Sequence, residues 1–198
     1  MGSISSQTYI KRVRWNLGET LSDADILVPN LGSQWTNEQI LEALNKAKDD
    51  AWDIIREARE DYFQVTGATV SITAATKEYD LAAAFRQLKG LRITTSGYEG
   101  IGLRRVEQDT TEFQDTDALP RQTGSIASEL IYCVIETGGT SRIKFANFPG
   151  TALTLAYDYI RYLSDMTLSD TGTIDVNDEI RRFIEASATE SLLAVTPT

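Results

Sequence analysis

The sequence predicts an α+β fold, with a long N-terminal helix and a C-terminal helix packed together and an antiparallel β-sheet and hairpin inserted between them. Three observations predict it. A capped amphipathic stripe opens at Thr36, two alternating apolar runs flank Thr137-Gly138-Gly139-Thr140, and a second capped stripe follows Asn177. Helix, strands and helix in that order form one α+β layer arrangement.

Residues 1–33 mix apolar and polar positions without a sustained period and are interrupted by Gly18, Pro29 and Gly32. They read as an arm or loop, so the expected organisation is an arm over 1–35, a single domain over 36–195 and a tail over 196–198. At Thr36-Asn37-Glu38-Gln39 the form of a capping box appears, followed by Ile40, Leu44, Ala47, Ala51, Ile55, Ala58 and Tyr62 at spacings of three and four. The spacing predicts a helix over about 37–64, stopped near Gly67. Leu41, Trp52 and Ile54 widen its apolar face, while Lys46, Lys48, Asp49, Asp50, Asp53, Glu57 and Glu60 are expected on the polar side.

Beyond Gly67 the period shortens to two. Residues 69–73 alternate as a half-buried strand does, with weaker strands over 88–95 and 101–106. The alanine-rich stretch 80–85 predicts a short helical turn. Five acidic and no basic residues over 107–117 predict a solvated loop ending near Pro120. Strands over 129–136 and 141–148 form the hairpin. The run 151–162 places Leu153, Leu155, Tyr157 and Tyr159 on one face and is expected to return beside that hairpin as the next strand of a meander. Asp175 or Asn177 caps a helix over about 178–195, with Ile180, Phe183, Ile184, Ala188, Leu192 and Val195 facing inward.

Composition narrows the chemistry. The 198 residues contain no histidine, which removes the commonest general base, the commonest metal ligand and every Ser-His or Cys-His nucleophile. Cys133, the single cysteine, lies in the apolar run Leu130-Ile131-Tyr132-Cys133-Val134-Ile135 and reads as core. Gly97, Gly100 and Gly102 fit no dinucleotide or phosphate-cradling fingerprint and read as a turn. Asp165, Asp170, Asp175 and Asp178 lack the calcium-loop pattern. No catalytic, cofactor-binding or metal-binding residue is therefore assigned. Met1-Gly2 with Ser6 has the form of an N-myristoylation site, a pattern short enough to recur by chance. No stretch of about 18 apolar residues and no basic-then-apolar opening is present, so the expectation is a chain made inside the cell with no membrane span or secretory signal.

Twenty-nine acidic and 19 basic side chains give a net charge of −10, with no basic stripe to hold phosphates. An acidic surface suits a passage through which DNA slides without sticking. Tyr157, Tyr159 and Tyr162 read as packing or interface residues.

A resemblance lies in the order of several phrases. They are Ala51-Trp52 in the long helix, Tyr79-Asp80-Leu81, Phe85-Arg86-Gln87-Leu88, the hairpin, Phe148-Pro149-Gly150 leading into Leu153-Thr154-Leu155-Ala156-Tyr157-Asp158-Tyr159, Leu163-Ser164-Asp165, and Asn177-Asp178-Glu179-Ile180. This order resembles the head-to-tail adaptor (connector, neck) proteins of tailed bacteriophages over residues 36–195. It departs at Ala82, where that family commonly has proline, and in the shortness of the last helix. The resemblance implies a virion structural protein, not an enzyme. It implies a ring of twelve copies under the portal protein that meets tail, stopper or nozzle proteins below and extends the channel for genome ejection. Twelve copies would carry about 120 net negative charges, and DNA would pass without specific binding. The arm and residues 194–198 are expected to order upon partners. Two other readings stand beside it: a tail-completion or neck protein farther from the portal, and a carbohydrate-binding module or small carboxylate-dependent hydrolase using the strand around Tyr157, Tyr159 and Tyr162.

Overall fold

The computed structural model describes residues 4–19, 34–74, 76–118, 128–147, 149–168, 173–174 and 176–195. Of the sequence expectations, Pro29, Gly32, Pro120, Phe148, Asp170, Asp175 and the tail 196–198 lie outside the described residues. The chain divides into two compact units, one made of Met1–Tyr62 with Leu163–Thr198 and the other of Phe63–Tyr162. In chain order the elements are β1 (Ile4–Ser5), α1 (Ser6–Asn16), α2 (Asn37–Ala58), a 3-10 turn (Glu60–Phe63), β2 (Gln64–Ile72), β3 (Glu78–Asp80), β4 (Phe85–Ile93), β5 (Gly102–Arg105), α3 (Thr111–Ala118), β6 (Glu129–Thr137), β7 (Thr140–Phe145), β8 (Leu153–Arg161), β9 (Thr173–Ile174) and α4 (Asp178–Leu193).

The first unit is helical. α2 begins where the sequence places it, because Thr36 accepts the Gln39 N–H and Gln39 Oε1 accepts the Thr36 N–H at 2.8 Å, a complete capping box. Thr36→Ala is expected to lower stability by about 1 kcal/mol, read as a shift in the denaturation midpoint. The helix ends at Ala58, short of the expected 64: Arg59 leaves helical geometry, and the acids Glu60 and Asp61 suit a helix C-terminus poorly. α4 is capped by Asn177, whose Oδ1 accepts the Ile180 N–H at 2.9 Å. The two helices pack as expected, through Leu44, Ala47, Ala51 and Trp52 on α2 and Ile184, Ala188 and Leu192 on α4, all buried. Phe183 and Val195, expected inward, are instead exposed, since the stripe that packs on α2 and α1 runs through Ile184, Ala188 and Leu192 one position further round.

Part of the expected arm is also helical. Ser5 caps α1, and Tyr9, Ile10 and Val13 are buried where α1 packs on α2 and α4. β1 pairs antiparallel with β9, which ties the start of the chain to the approach to α4. The remainder of the expected arm, 1–3 and 20–33, lies outside the described residues.

The second unit is built from two sheets, β2-β8-β4 and β3-β7-β6-β5, sharing a core that includes Ile72, Leu88, Leu155 and Tyr157 from one and Leu130, Tyr132, Ile143 and Phe145 from the other. The β6–β7 hairpin forms as predicted. Gly138 and Gly139 both take positive φ, 60° and 77°, the conformation a two-residue hairpin turn of this twist requires. β8 does not lie beside it, however. It is the central strand between β2 and β4, and a strand buried at Leu155, Ala156, Tyr157, Tyr159 and Ile160 needs neighbours on both edges.

Two other stretches differ from what the sequence predicts. The stretch 80–85 is not helical: Leu81 N–H donates to Ser141 O at 2.9 Å, continuing the β3–β7 ladder, and Phe85 N–H closes a tight turn on Ala82 O at 2.8 Å. The acidic stretch 107–117 holds helix α3, because Thr110 caps it through the Phe113 N–H and Phe113 is buried against Ile131, Cys133 and Ala146. α3 occupies the connection between β5 and β6, which pair in parallel and so need a crossover.

Candidate functional site

Of the residues that sequence analysis weighed for chemistry, those discussed next occupy packing, turn or ion-pair positions. Cys133 is buried beneath α3, and burial pushes its thiol up to about 11, far from the thiolate a nucleophile needs. Tyr157 and Tyr159 are 4% and 7% exposed and stack within the sheet core, with Phe85 packed on Tyr159 at 5.6 Å between ring centres. They offer no face to a sugar ring. Tyr162 is half-buried. Gly97, at a φ of 85°, sits in the turn between β4 and β5. Asp165 pairs with Lys48 and Asp178 with Arg181. Among the described residues no group of three acidic or thiol ligands could hold a metal, and no helix is long and apolar enough to cross a membrane.

Electrostatics act as joinery. Asp117 takes hydrogen bonds from Lys77 at 2.8 Å and Lys144 at 3.0 Å, anchoring α3 to the hairpin sheet. Burial alone would raise its carboxyl; the two ammonium groups outweigh that and hold it below the usual range. Asp158, on the central strand β8, accepts the Gly67 N–H at 2.7 Å and Arg92 at 3.0 Å, and its carboxyl lies low chiefly because of the Gly67 bond. Gly67 does not stop α2. It sits at positive φ in the bulge where β2 shifts register against β8, opposite a second bulge in β4.

Several of the phrases that carried the family resemblance hold joints as well. Trp52 is buried with the Arg56 guanidinium 5.0 Å over its ring. Tyr79 Oη accepts the Thr73 N–H at 2.8 Å and donates to Thr76 O at 2.7 Å, closing the β2–β3 connection. Ala82, where the resembled family commonly has proline, donates its N–H to the Tyr157 hydroxyl at 3.1 Å, a bond proline could not make. The Leu163-Ser164-Asp165 phrase is fastened to α2: Lys48 Nζ donates to Leu163 O at 3.1 Å and to Asp165, while Asn45 exchanges hydrogen bonds with Met166 N and O at 2.8 and 3.1 Å.

Lys48 was expected on the polar side of α2 but is fully buried. The periodicity pointed to this, since 44, 48, 51 and 55 fall on one helical stripe, while the residue type pointed outward. Arg14 was likewise not singled out. It is fully buried, with Nη2 donating to Trp35 O at 2.9 Å and Asn37 Oδ1 at 2.7 Å and Nη1 to Glu19, whose other oxygen accepts the Gln34 N–H.

Among the described residues, several large apolar side chains of the helical unit are exposed. Trp15 on α1 is 79% exposed, Ile54 on α2 55% and Phe183 on α4 45%. Between α2 and α4 lies a cleft of about 200 Å³ lined by Ala51, Ile54, Ile55, Ile180 and Phe183 with Glu179.

A structure whose ordered phrases serve assembly of the fold, with apolar helix surface left over, fits an interaction protein. The family model described as SU10 adaptor protein matches residues 7–190. The chain belongs to the SU10 adaptor protein family. That family is one of phage head-to-tail adaptors, and the match begins within α1 and ends within α4. The matched residues include parts of both units. No curated protein matches the chain.

Proposed function

We propose that this chain is the head-to-tail adaptor of a tailed-phage virion, forming a ring under the portal, bridging it to tail, stopper or nozzle proteins and extending the DNA channel. The observation that carries this reading is the adaptor-family match across residues 7–190. The excess of 29 acidic over 19 basic residues supports a lumen that repels phosphate and lets DNA pass without specific binding. In this role the protein acts through fitted surfaces, with no reaction, cofactor or metal, and it resides in the virion neck after assembly from the host cytoplasm. The competing carbohydrate reading loses its motivation because Tyr157 and Tyr159 are core residues. Mixing the protein with the portal of the same phage and imaging by negative-stain electron microscopy tests the proposal. A ring added beneath the portal is expected; bare portals at saturating protein would overturn it and move the chain to a later tail position.

A further inference from the structure

One strand edge of the second unit is neither covered nor blunted among the described residues. β2 is an outer strand of the β2-β8-β4 sheet and pairs there only with β8. An outer strand carries a row of backbone N–H and C=O groups aimed away from the sheet, a template for an extended chain, and charges, proline or brevity ordinarily guard it. β2 has none of these guards. Its nine residues, Gln64–Ile72, include no charged side chain and no proline, and Val65, Thr66, Thr69, Val70 and Ile72 are β-branched. The bulge at Gly67 leaves Ala68–Ile72 in regular pairing.

The described chain supplies one edge that matches it. β3 offers three residues and β5 four, while β1 and β9 have two each. β4, the other outer strand of the same sheet, is also nine residues long and also pairs only with β8. Its Arg86, Lys89 and Arg92 would set like charges against a second β4 but tolerate a neutral strand such as β2.

The two edges are also level. Tyr157, Ala156 and Leu155 of β8 face Ala68, Thr69 and Val70 on one side and Leu91, Arg92 and Ile93 on the other, clear of the bulges in both outer strands. Thr154 extends the row, opposite Ser71 on one side and accepting the Thr94 N–H at 2.9 Å on the other. The regular halves of β2 and β4 thus stand at one height on the sheet and run in one direction, since each is antiparallel to β8.

Neighbours in a ring differ by a rotation with no shift along its axis. With the strands along that axis, the β4 edge of one copy meets the β2 edge of the next at matching height and in the same direction. A β2–β2 pair would instead need a two-fold axis and would close a dimer, leaving both β4 edges unused. We infer, on the ring reading proposed above, that β4 of each copy pairs in parallel with β2 of the next, joining their three-stranded sheets and bringing Thr94 beside Ser71.

Hydrogen exchange and thiol cross-linking on portal complexes test the contact. In native chain, the outward amides within 68–72 and 91–93 are expected to exchange at least about tenfold more slowly in the portal-bound ring than in the free protein, because each strand gains a ladder on its outer edge. Ser71→Cys and Thr94→Cys alter exposed positions, and buried Cys133 is retained. Within one copy β8 separates the two positions by two strand spacings, about 10 Å, too far for a disulfide. Oxidation is expected to give a disulfide dimer only when the two variants are mixed in rings, and a ladder of multimers from the double variant. Rings seen by electron microscopy without the mixed disulfide, or without protection at both strands, would overturn the contact and leave the adaptor role standing. Protection of β2 alone would overturn it in favour of another protein's strand, and a disulfide dimer from Ser71→Cys by itself in favour of a two-fold pair. Portals left bare by the native chain would bring down the adaptor role, and the contact with it.

Discussion

Arg14→Met is expected to destabilise the protein by about 3 kcal/mol, lowering the thermal midpoint by roughly 6–12 °C. The guanidinium is fully buried, and three of its bonds join separate stretches of chain: Glu19 just after α1, and Trp35 and Asn37 at the entry to α2. Methionine fills much of the same space, so the cavity contribution is small. What is lost is the set of charge-assisted bonds, each worth about 1.5–3 kcal/mol when buried, and the neutralisation of a Glu19 carboxylate that is 11% exposed. Arg14→Lys should recover less than half of the loss, because a single ammonium cannot span acceptors that a forked, planar guanidinium reaches together. Differential scanning calorimetry of the three proteins measures this ordering. Equal midpoints for native and methionine forms would contradict it.

Lys48→Ala is expected to cost about 3 kcal/mol, and Lys48→Met only about 1 kcal/mol. The difference identifies which part of the side chain matters. Its aliphatic stem is buried within α2, so truncation to alanine leaves a cavity as well as losing the bond to Leu163 O. Methionine preserves the stem and removes the ammonium together with its bond to Leu163 O. Of the two carboxylates near Nζ, Asp165 is 71% and Asp49 45% exposed, so both rehydrate readily and their pairing contributes little. Asp165→Asn should accordingly shift stability by less than about 1 kcal/mol. Hydrogen exchange gives a local check. The Met166 amide, held by Asn45 Oδ1 at 2.8 Å, should exchange faster in Lys48→Ala, because residues 163–166 are fastened to α2 at adjoining turns by Asn45 and Lys48.

The features legible in sequence were those whose cause is local. The capping box at Thr36, the paired glycines of the hairpin and the Asn177 cap each need only a few adjacent residues, and each stands where its sequence signal lies. α1 was obscured because its stripe of Tyr9, Ile10 and Val13 is short and ends in a buried arginine, a residue whose inward position depends on Trp35 and Asn37. α3 rests on one cap, Thr110, and one buried ring, Phe113, among five acids whose charge alone reads as loop. The neighbours of β8 were not legible either. Its apolar pattern demands burial on both faces but does not name β2 and β4 as its partners, which depends on pairings between residues as distant in sequence as Gln64 and Ile160.

The same distinction holds for function. Nothing in the ordered phrases from Tyr79 to Asp165 is a chemical signature, yet Tyr79, Tyr157 and Leu163 within them each fix a joint of the described fold, so the resemblance lay in order and not in any single residue. The apolar patch at Trp15, Ile54 and Phe183 had no such order to reveal it. Only exposure in the folded chain separates these three side chains from core residues of the same types.

An electron cryomicroscopy reconstruction of the neck in the assembled virion would locate this chain. A symmetric ring of it, seated between the portal and the first tail component and encircling the DNA path, is expected. Density for the chain elsewhere in the particle, or a portal joined straight to the tail without it, would rule out the adaptor role.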